Sequence, residues 1–142
     1  MRDVGKAAIF ATYLLISGSA LAHHGNAAYD ESRMISVKAT VTTWTWANPH
    51  CWLMFDTTDD KGNVVHWKAE TSNPPDMINR GWTKQTLKPG DQITVTMITV
   101  KNGQPIGRVR QVILPDGRAL ANEGGLNSKP ITVKPVEDAP KP

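Results

Sequence analysis

Two adjacent histidines, His23 and His24, follow an apolar stretch near the start of the chain. If the mature chain begins at His23, the free α-amino group and the imidazole Nδ1 of that residue can chelate one metal ion, and His24 adds a backbone amide or an imidazole. Among divalent first-row ions, nitrogen donors of this kind bind copper(II) best, by ligand type and by the general affinity order. The pair therefore predicts a copper(II) site that exists only after the preceding residues are removed.

The preceding residues have the three parts of a secretory signal peptide. Arg2 and Lys6 form a basic start, residues 7–16 are almost entirely apolar, and small residues end in an Ala-x-Ala sequence at Ala22. The apolar run is shorter than the stretch of about 20 residues that a transmembrane helix requires. We therefore expect cleavage after Ala22, export to the periplasm and no membrane span in the mature chain.

Two alternatives stay open at this terminus. Cleavage after Ala20 would leave His23 third from a free amine, an arrangement that also chelates copper(II), whereas a retained signal peptide would leave no site. The two histidines are equally consistent with an exposed, disordered chain start, because termini are the usual places of disorder.

The other two histidines supply further candidate ligands. His50 follows Asn48 and Pro49 and is the expected third copper ligand, although a histidine after such a turn commonly hydrogen-bonds to the backbone instead. His66 and Met54 are weaker candidates.

The expected position of these weaker candidates follows from the turn at residues 59–63. Counting back from it pairs Asp56 with Val64 and Met54 with His66, which makes the last two cross-strand neighbours. The ordinary alternative for His66 is a half-exposed strand residue.

Tryptophan is the second feature with chemical potential, because five of the nine aromatic residues are tryptophans. Alternation along the strands places Trp44, Trp46 and Trp52 opposite the apolar faces, where they could line an outer, ligand-binding surface. Indole rings stack on sugars, bases and cations. Closing the ends of a small barrel is an equally consistent role, because large aromatic residues dominate small cores.

These residues are carried by a predicted all-β domain with one short helix. Alternation of apolar and polar residues predicts the strands, with a bulge in the first strand where the apolar phase moves to Trp44. Asn73, the two prolines after it and Gly81 predict a short helix. The predicted strands cover residues 34–45, 51–57, 64–70, 92–100 and 108–114, and the predicted helix lies within residues 72–82. The order β-β-β-α-β-β predicts a five-stranded Greek-key barrel, with a β-sandwich fragment as the alternative.

Composition divides the chain into four parts. Residues 1–22 form the signal peptide, 23–33 an N-terminal connecting segment, 34–120 the barrel domain, and 121–142 a tail rich in Gly, Pro, Asn and charge that is expected to be mostly disordered. The 120 mature residues suit one domain and carry 14 Lys+Arg and 12 Asp+Glu, a formal charge of +2. This mild, scattered charge argues against nucleic acid as a partner.

Cys51 is the only cysteine of the chain, so no disulfide can form within it. The simplest expectation is burial, because a free cysteine behaves as a small apolar residue.

Five ordered motifs resemble those of a family of small exported bacterial proteins of unknown function. They are the His-His start, Trp-x-Asn-Pro-His at 46–50, Arg-Gly-Trp at 80–82, Leu-Lys-Pro-Gly-Asp at 87–91 and Leu-Pro-Asp-Gly-Arg at 114–118. The resemblance covers about residues 23–120. It implies a barrel of the oligonucleotide/oligosaccharide-binding (OB) type in the periplasm and assigns no reaction.

No serine, cysteine or acid lies in a motif that supplies both a base and an orienting group, so no catalytic residue is assigned. We expect a periplasmic, non-catalytic binding module with a copper(II) site at His23, His24 and His50. The alternative is a metal-free barrel that binds a small molecule, a glycan or a protein partner through its tryptophan surface. A copper-dependent redox enzyme is a third class and needs a second histidine that converges on His23.

Overall fold

The computed structural model describes residues 27–123, which form six β-strands and one short α-helix. In chain order the elements are β1 (Tyr29–Thr45), β2 (Trp52–Thr58), β3 (Val64–Glu70), α1 (Pro74–Asn79), β4 (Gln92–Val100), β5 (Ile106–Ile113) and β6 (Ala119–Ala121). The predicted order of five strands and a helix is confirmed, and β6 is an addition to it. The predicted signal peptide and most of the predicted tail lie outside the described residues. No helix between residues 27 and 123 has the length and hydropathy to cross a membrane.

The first five strands close into a barrel. β1 pairs antiparallel with both β2 and β4, β2 pairs with β3, and β4 pairs with β5. A parallel pairing of β3 with β5, in which Ala69 lies opposite Gly107, closes the last gap. The resulting order, β1-β2-β3-β5-β4-β1, is the predicted five-stranded Greek-key barrel of OB type.

β1 pairs with both β2 and β4, and its register shifts once in each pairing. It begins at Tyr29, in the predicted connecting segment, and its register with β4 shifts between Tyr29 and Met34. The predicted bulge is confirmed, since the register with β2 shifts between Val41 and Thr43. An extra residue at a bulge reverses the alternation of side chains, so Trp44 lies opposite the buried Leu53.

The register between β2 and β3 differs from the predicted one by two residues. Asp56 pairs with His66 instead of Val64. Met54 pairs with Lys68 instead of His66. Both predicted pairings are therefore wrong.

The turn itself lies at the predicted residues 59–63, and the difference comes from the count of residue pairs beside it. The Asp59 carboxylate accepts hydrogen bonds from the backbone N–H groups of Lys61 and Asn63 and from the Asn63 side-chain amide. This turn, held by an aspartate side chain, leaves Thr58 opposite Val64 as the first pair beside it. Counting from that pair along both strands places Asp56 opposite His66 and Met54 opposite Lys68.

α1 closes one end of the barrel. Asn73 caps the helix by accepting a hydrogen bond from the Asp76 N–H at 3.0 Å, with the two prolines in the first turn, as predicted. Gly81 follows the helix at φ +85°, a conformation that favours glycine. Met77 of the helix and Trp82 beyond it are fully buried in the core.

The core is a single apolar cluster inside the barrel. Leu53 and Phe55 of β2 are fully buried, and each contributes about 1.5–3 kcal/mol through removal of its side chain from water. Cys51 is part of the same cluster and is fully buried, which confirms the expectation for this residue. Burial raises the pKa of its thiol, so the thiol stays protonated.

β6 attaches the end of the described chain to the outer edge of β5. Asn122, only 5% exposed, donates to the Val109 carbonyl at 2.8 Å and accepts from the Ser72 N–H at 3.0 Å. Ala121 and Asn122, which the sequence pattern assigns to the tail, are therefore part of the packed domain.

The contact between Trp82 and β6 gives a test of this packing. The Trp82 indole N–H donates to the Ala121 carbonyl at 2.9 Å, so Trp82→Phe leaves a buried acceptor without its donor. We expect the free energy of unfolding in urea to fall by about 1–3 kcal/mol. Trp52→Phe is the matched control, because the half-buried Trp52 indole N–H has no hydrogen-bond partner within residues 27–123. Equal losses for the two variants would contradict this assignment.

Candidate functional site

His50 lies directly before β2, beside the end of β3. The Cys51 N–H donates to the Ser72 carbonyl and the Thr71 N–H donates to the Cys51 carbonyl, both at 3.0 Å. The Thr71 hydroxyl donates to the same Cys51 carbonyl. These bonds continue the β2–β3 pairing beyond the two strands, so the backbone that carries His50 is fixed.

Two oxygen acceptors orient the imidazole of His50. Its Nδ1 lies 3.1 Å from the Thr71 carbonyl oxygen and 3.2 Å from Oε1 of Glu70. Because both neighbours accept hydrogen bonds, Nδ1 carries a proton, and in the neutral ring Nε2 holds the lone pair. The side chain is 46% exposed. Histidines that bind metals are usually held in this way, with the other ring nitrogen donating to a carboxylate or a carbonyl.

Glu70 lies at the centre of a cluster that also includes Tyr29, His50 and Arg108, here called the Glu70 cluster. Oε2 of Glu70 accepts hydrogen bonds from the Tyr29 hydroxyl and the Arg108 guanidinium, both at 3.2 Å. The guanidinium also lies over the Tyr29 ring, 4.3 Å from its centroid, in a cation–π contact. The Glu70 side chain is only 14% exposed. Its carboxylate is instead stabilised by contacts with Tyr29 of β1, Arg108 of β5 and His50.

The Tyr29 hydroxyl remains a hydrogen-bond donor in this environment. Burial, and after it the negative charge of Glu70, raises the pKa of Tyr29 above its ordinary value of 10.0. The nearby Arg108 guanidinium acts in the opposite direction but does not reverse the shift. Tyr29 therefore stays neutral at physiological pH, and its hydroxyl can donate a hydrogen bond to the Glu70 carboxylate.

The Glu70 cluster offers one oriented nitrogen ligand and a carboxylate that is already occupied. Oε1 of Glu70 contacts His50, and Oε2 accepts from Tyr29 and Arg108. Within residues 27–123 no group of three His, Cys, Asp or Glu side chains is arranged to hold a metal ion. A metal site at His50 would therefore need ligands from outside this range, which is where His23 and His24 lie.

The weaker ligand candidates are not next to His50. His66 has a similar arrangement, with Nδ1 2.7 Å from Oδ1 of Asp56, but its side chain is 80% exposed. It precedes Glu70 by four residues on β3, about 13 Å of strand. Met54 follows His50 by four residues and pairs with Lys68. The fold does not bring either residue to the His50 imidazole.

The three candidate tryptophans fall into two groups. Trp44 and Trp46 pack against the core with ring centroids 5.8 Å apart, and Trp44 lies 5.6 Å from the buried Trp82. The bulge in β1 returns them to the core side, so the predicted position opposite the core is wrong. Trp52 lies on the outer face, where the Lys68 ammonium is 4.2 Å from its ring centroid. The three residues therefore do not form one surface.

Tyr29 and Arg108 belong to none of the five motifs. Both lie at the beginnings of strands and are far from His50 along the chain. Glu70 has a usable signal: it ends the strand that forms a hairpin with the strand after His50, so any hairpin register brings the two residues to the same end. The contact with Arg108 depends on barrel closure, which no local pattern reveals.

The chain matches the model of a known protein family. The model of a family described as a family of unknown function (DUF6152) matches residues 12–109, more than half of the chain. All four residues of the Glu70 cluster fall within this range. No curated protein matches the sequence.

The Tyr29–Glu70 hydrogen bond predicts a pH-dependent contribution to stability. Tyr29→Phe removes a donor from a largely buried carboxylate, and we expect a loss of about 1–2 kcal/mol near neutral pH by urea unfolding. The pKa of Tyr29 is raised in the folded state, so its contribution is complete below pH 10.0 and is lost as the pH rises further. The difference between wild type and variant should therefore shrink near pH 11. A difference that is constant with pH would contradict the assignment.

Proposed function

The chain belongs to this family of unknown function, and from the geometry of its own residues we propose that it is a periplasmic, non-catalytic binding module with a copper(II) site formed by His23, His24 and His50. The observation that carries the proposal is the orientation of His50. Its Nδ1 contacts the oxygens of Thr71 and Glu70, and Nε2 is then the atom available to a metal ion.

The other ligands come from the processed N-terminus. Removal of a signal peptide after Ala22 gives His23 a free α-amino group beside its imidazole, and His24 adds a further nitrogen donor. Together with Nε2 of His50 this is an all-nitrogen ligand set. Such a set favours copper(II) over the other divalent first-row ions.

The start of β1 lies within reach of His50. The Tyr29 hydroxyl contacts the same Glu70 carboxylate that contacts His50. Only one tyrosine side chain and one carboxylate therefore separate the first residue of β1 from the imidazole. His24 precedes Tyr29 by five residues, which can span at most about 17 Å when extended. His24 is therefore tethered within about 17 Å of Tyr29, whose hydroxyl contacts the same carboxylate as His50.

The proposed role is binding and not catalysis. Both oxygens of Glu70, the carboxylate nearest to His50, are held by hydrogen-bond donors. Glu70 therefore orients the imidazole, and it is not available as a general base for chemistry at the metal.

Copper titration of the exported protein, with the start at His23 verified by intact mass, tests the site. Wild type should bind one copper(II) ion by calorimetry, with an electron paramagnetic resonance spectrum of nitrogen ligands. The double variant His23→Ala/His24→Ala should abolish tight binding, whereas His23→Ala alone would leave an Ala-His terminus whose amine, amide and imidazole still bind copper(II). His50→Ala should weaken copper binding and remove one nitrogen from the spectrum. Glu70→Gln should weaken binding by about 10–100-fold, because it loosens the orientation of the ligand.

His66→Ala is the matched control, because His66 also pairs with a carboxylate but lies away from His50. It should bind copper like the wild type. Thermal unfolding of each variant separates loss of the fold from loss of a ligand. Equal copper uptake by wild type and His23→Ala/His24→Ala would overturn the proposal, and equal affinities for wild type and a folded His50→Ala would remove His50 from the site.

A further inference from the structure

A cavity of about 790 Å³ opens at the end of the barrel where the β2–β3 turn meets the β4–β5 loop. We call it the barrel mouth. β1, β2, β3, β4 and the β4–β5 loop all contribute to its lining, and no member of the Glu70 cluster does. Its size falls within the range of about 300–1,000 Å³ that is typical of small-molecule sites.

The walls of the barrel mouth are apolar and fixed in position. Ile35 and Val37 of β1 face Val65 and Trp67 of β3 across the cavity. The Trp67 ring stacks on the fully buried Phe55, with an interplanar angle of 4°. Its indole N–H donates to the Thr57 hydroxyl at 3.1 Å. The indole therefore has little freedom, and an apolar ligand would meet a wall that is already in place.

The two carboxylates at the rim accept hydrogen bonds from residues close to them in the chain. Asp30 accepts hydrogen bonds from the Ser32 hydroxyl and N–H, and Asp59 accepts from Asn63 and Lys61. These bonds lower the pKa of both aspartates. Both acids are therefore ionised and turned toward the protein backbone.

The cations at the rim form no close ion pair, although the charge of Asp30 interacts with those of Lys101 and Arg33. Arg33, Lys38 and Lys101 all border the barrel mouth and are exposed. Within residues 27–123 none of the three forms an ion pair with a carboxylate closer than 4.0 Å. The rim therefore carries three cationic and two anionic side chains, an excess of one positive charge beside an apolar wall.

We propose that the barrel mouth binds a small anionic amphiphile, a molecule with one negatively charged head group and an apolar body. The body lies against Ile35, Val37, Val65 and Trp67, where burial of apolar surface supplies the affinity. The head group remains at the rim beside Lys38 and Lys101, where charge complementarity selects its sign. This site is independent of the copper(II) site, because the two share no residue.

Calorimetric titration with dodecanoate tests the proposal, on the exported protein with a metal chelator present and below the concentration at which the ligand forms micelles. We expect one saturable site. The cationic analogue dodecyltrimethylammonium should bind at least tenfold more weakly, because its head group meets Lys38 and Lys101. Dodecanoate should shift the methyl resonances of Ile35, Val37 and Val65 in NMR spectra.

Rim substitutions separate the site from a general effect of charge. Lys101→Glu should weaken dodecanoate binding about tenfold, while Lys84→Glu, an identical charge change at an exposed position after α1, should leave it unchanged. Both positions are exposed, so the variants are expected to fold. Absence of saturable binding, equal affinity for the two amphiphiles, or equal effects of the two substitutions would overturn the proposal. So would a dimer in sedimentation experiments that Lys101→Glu dissociates, because the occupant would then be a second copy of the chain.

Discussion

The parallel pairing of β3 with β5 is the contact on which the rest of the structure depends. It joins the two edges of a sheet that would otherwise remain open, so that the apolar faces of five strands enclose one core. Small residues meet at this seam, where Ala69 lies opposite Gly107. A Cβ atom at Gly107 would lie 2.5 Å from Sδ of the buried Met97, so the core fills the space that a larger residue would need. Gly107 therefore leaves that space to the Met97 side chain of β4.

The same seam builds the Glu70 cluster. Glu70 pairs with Arg108 one step beyond Ala69 and Gly107, which brings a carboxylate and a guanidinium together from two strands that only the closed barrel makes neighbours. The Coulomb attraction within such a partly buried pair is largely offset by the loss of hydration. The main effect of the Glu70–Arg108 pair is therefore to fix the position of the Glu70 carboxylate. Glu70 is held by Arg108 and Tyr29, and it in turn limits the orientation of His50.

The two ends of the barrel differ for a physical reason. α1 and Trp82 fill one end with apolar side chains, whereas the other end has turns and loops but no element that covers it within the described residues. The apolar interior is therefore accessible at the barrel mouth, where Trp67 is held by Phe55 and Thr57.

Local periodicity made much of the fold predictable. The alternation through residues 64–70 and 92–100 matches β3 and β4 to the residue, and the change of phase near Trp44 correctly indicates a bulge. The β2–β3 turn was also predicted at residues 59–63, but the register counted back from it was wrong by two residues, because the first pair beside the turn is Thr58 with Val64. β6 is too short for a recognisable alternation, and Asn122 is buried through hydrogen bonds that no pattern of apolar residues reveals.

The sequence by itself therefore determined the faces of β2 and β3, the helix cap and the burial of Cys51, because each follows from side-chain types a few residues apart. It also placed His50 beside the end of β3, because a hairpin brings its two ends together in any register. Only the tertiary structure decided that Tyr29 and Arg108 meet Glu70, that the tryptophans separate, and that a cavity remains open at one end. Those arrangements depend on the closure and register of strands distant in the chain, which bring together residues that local periodicity cannot relate.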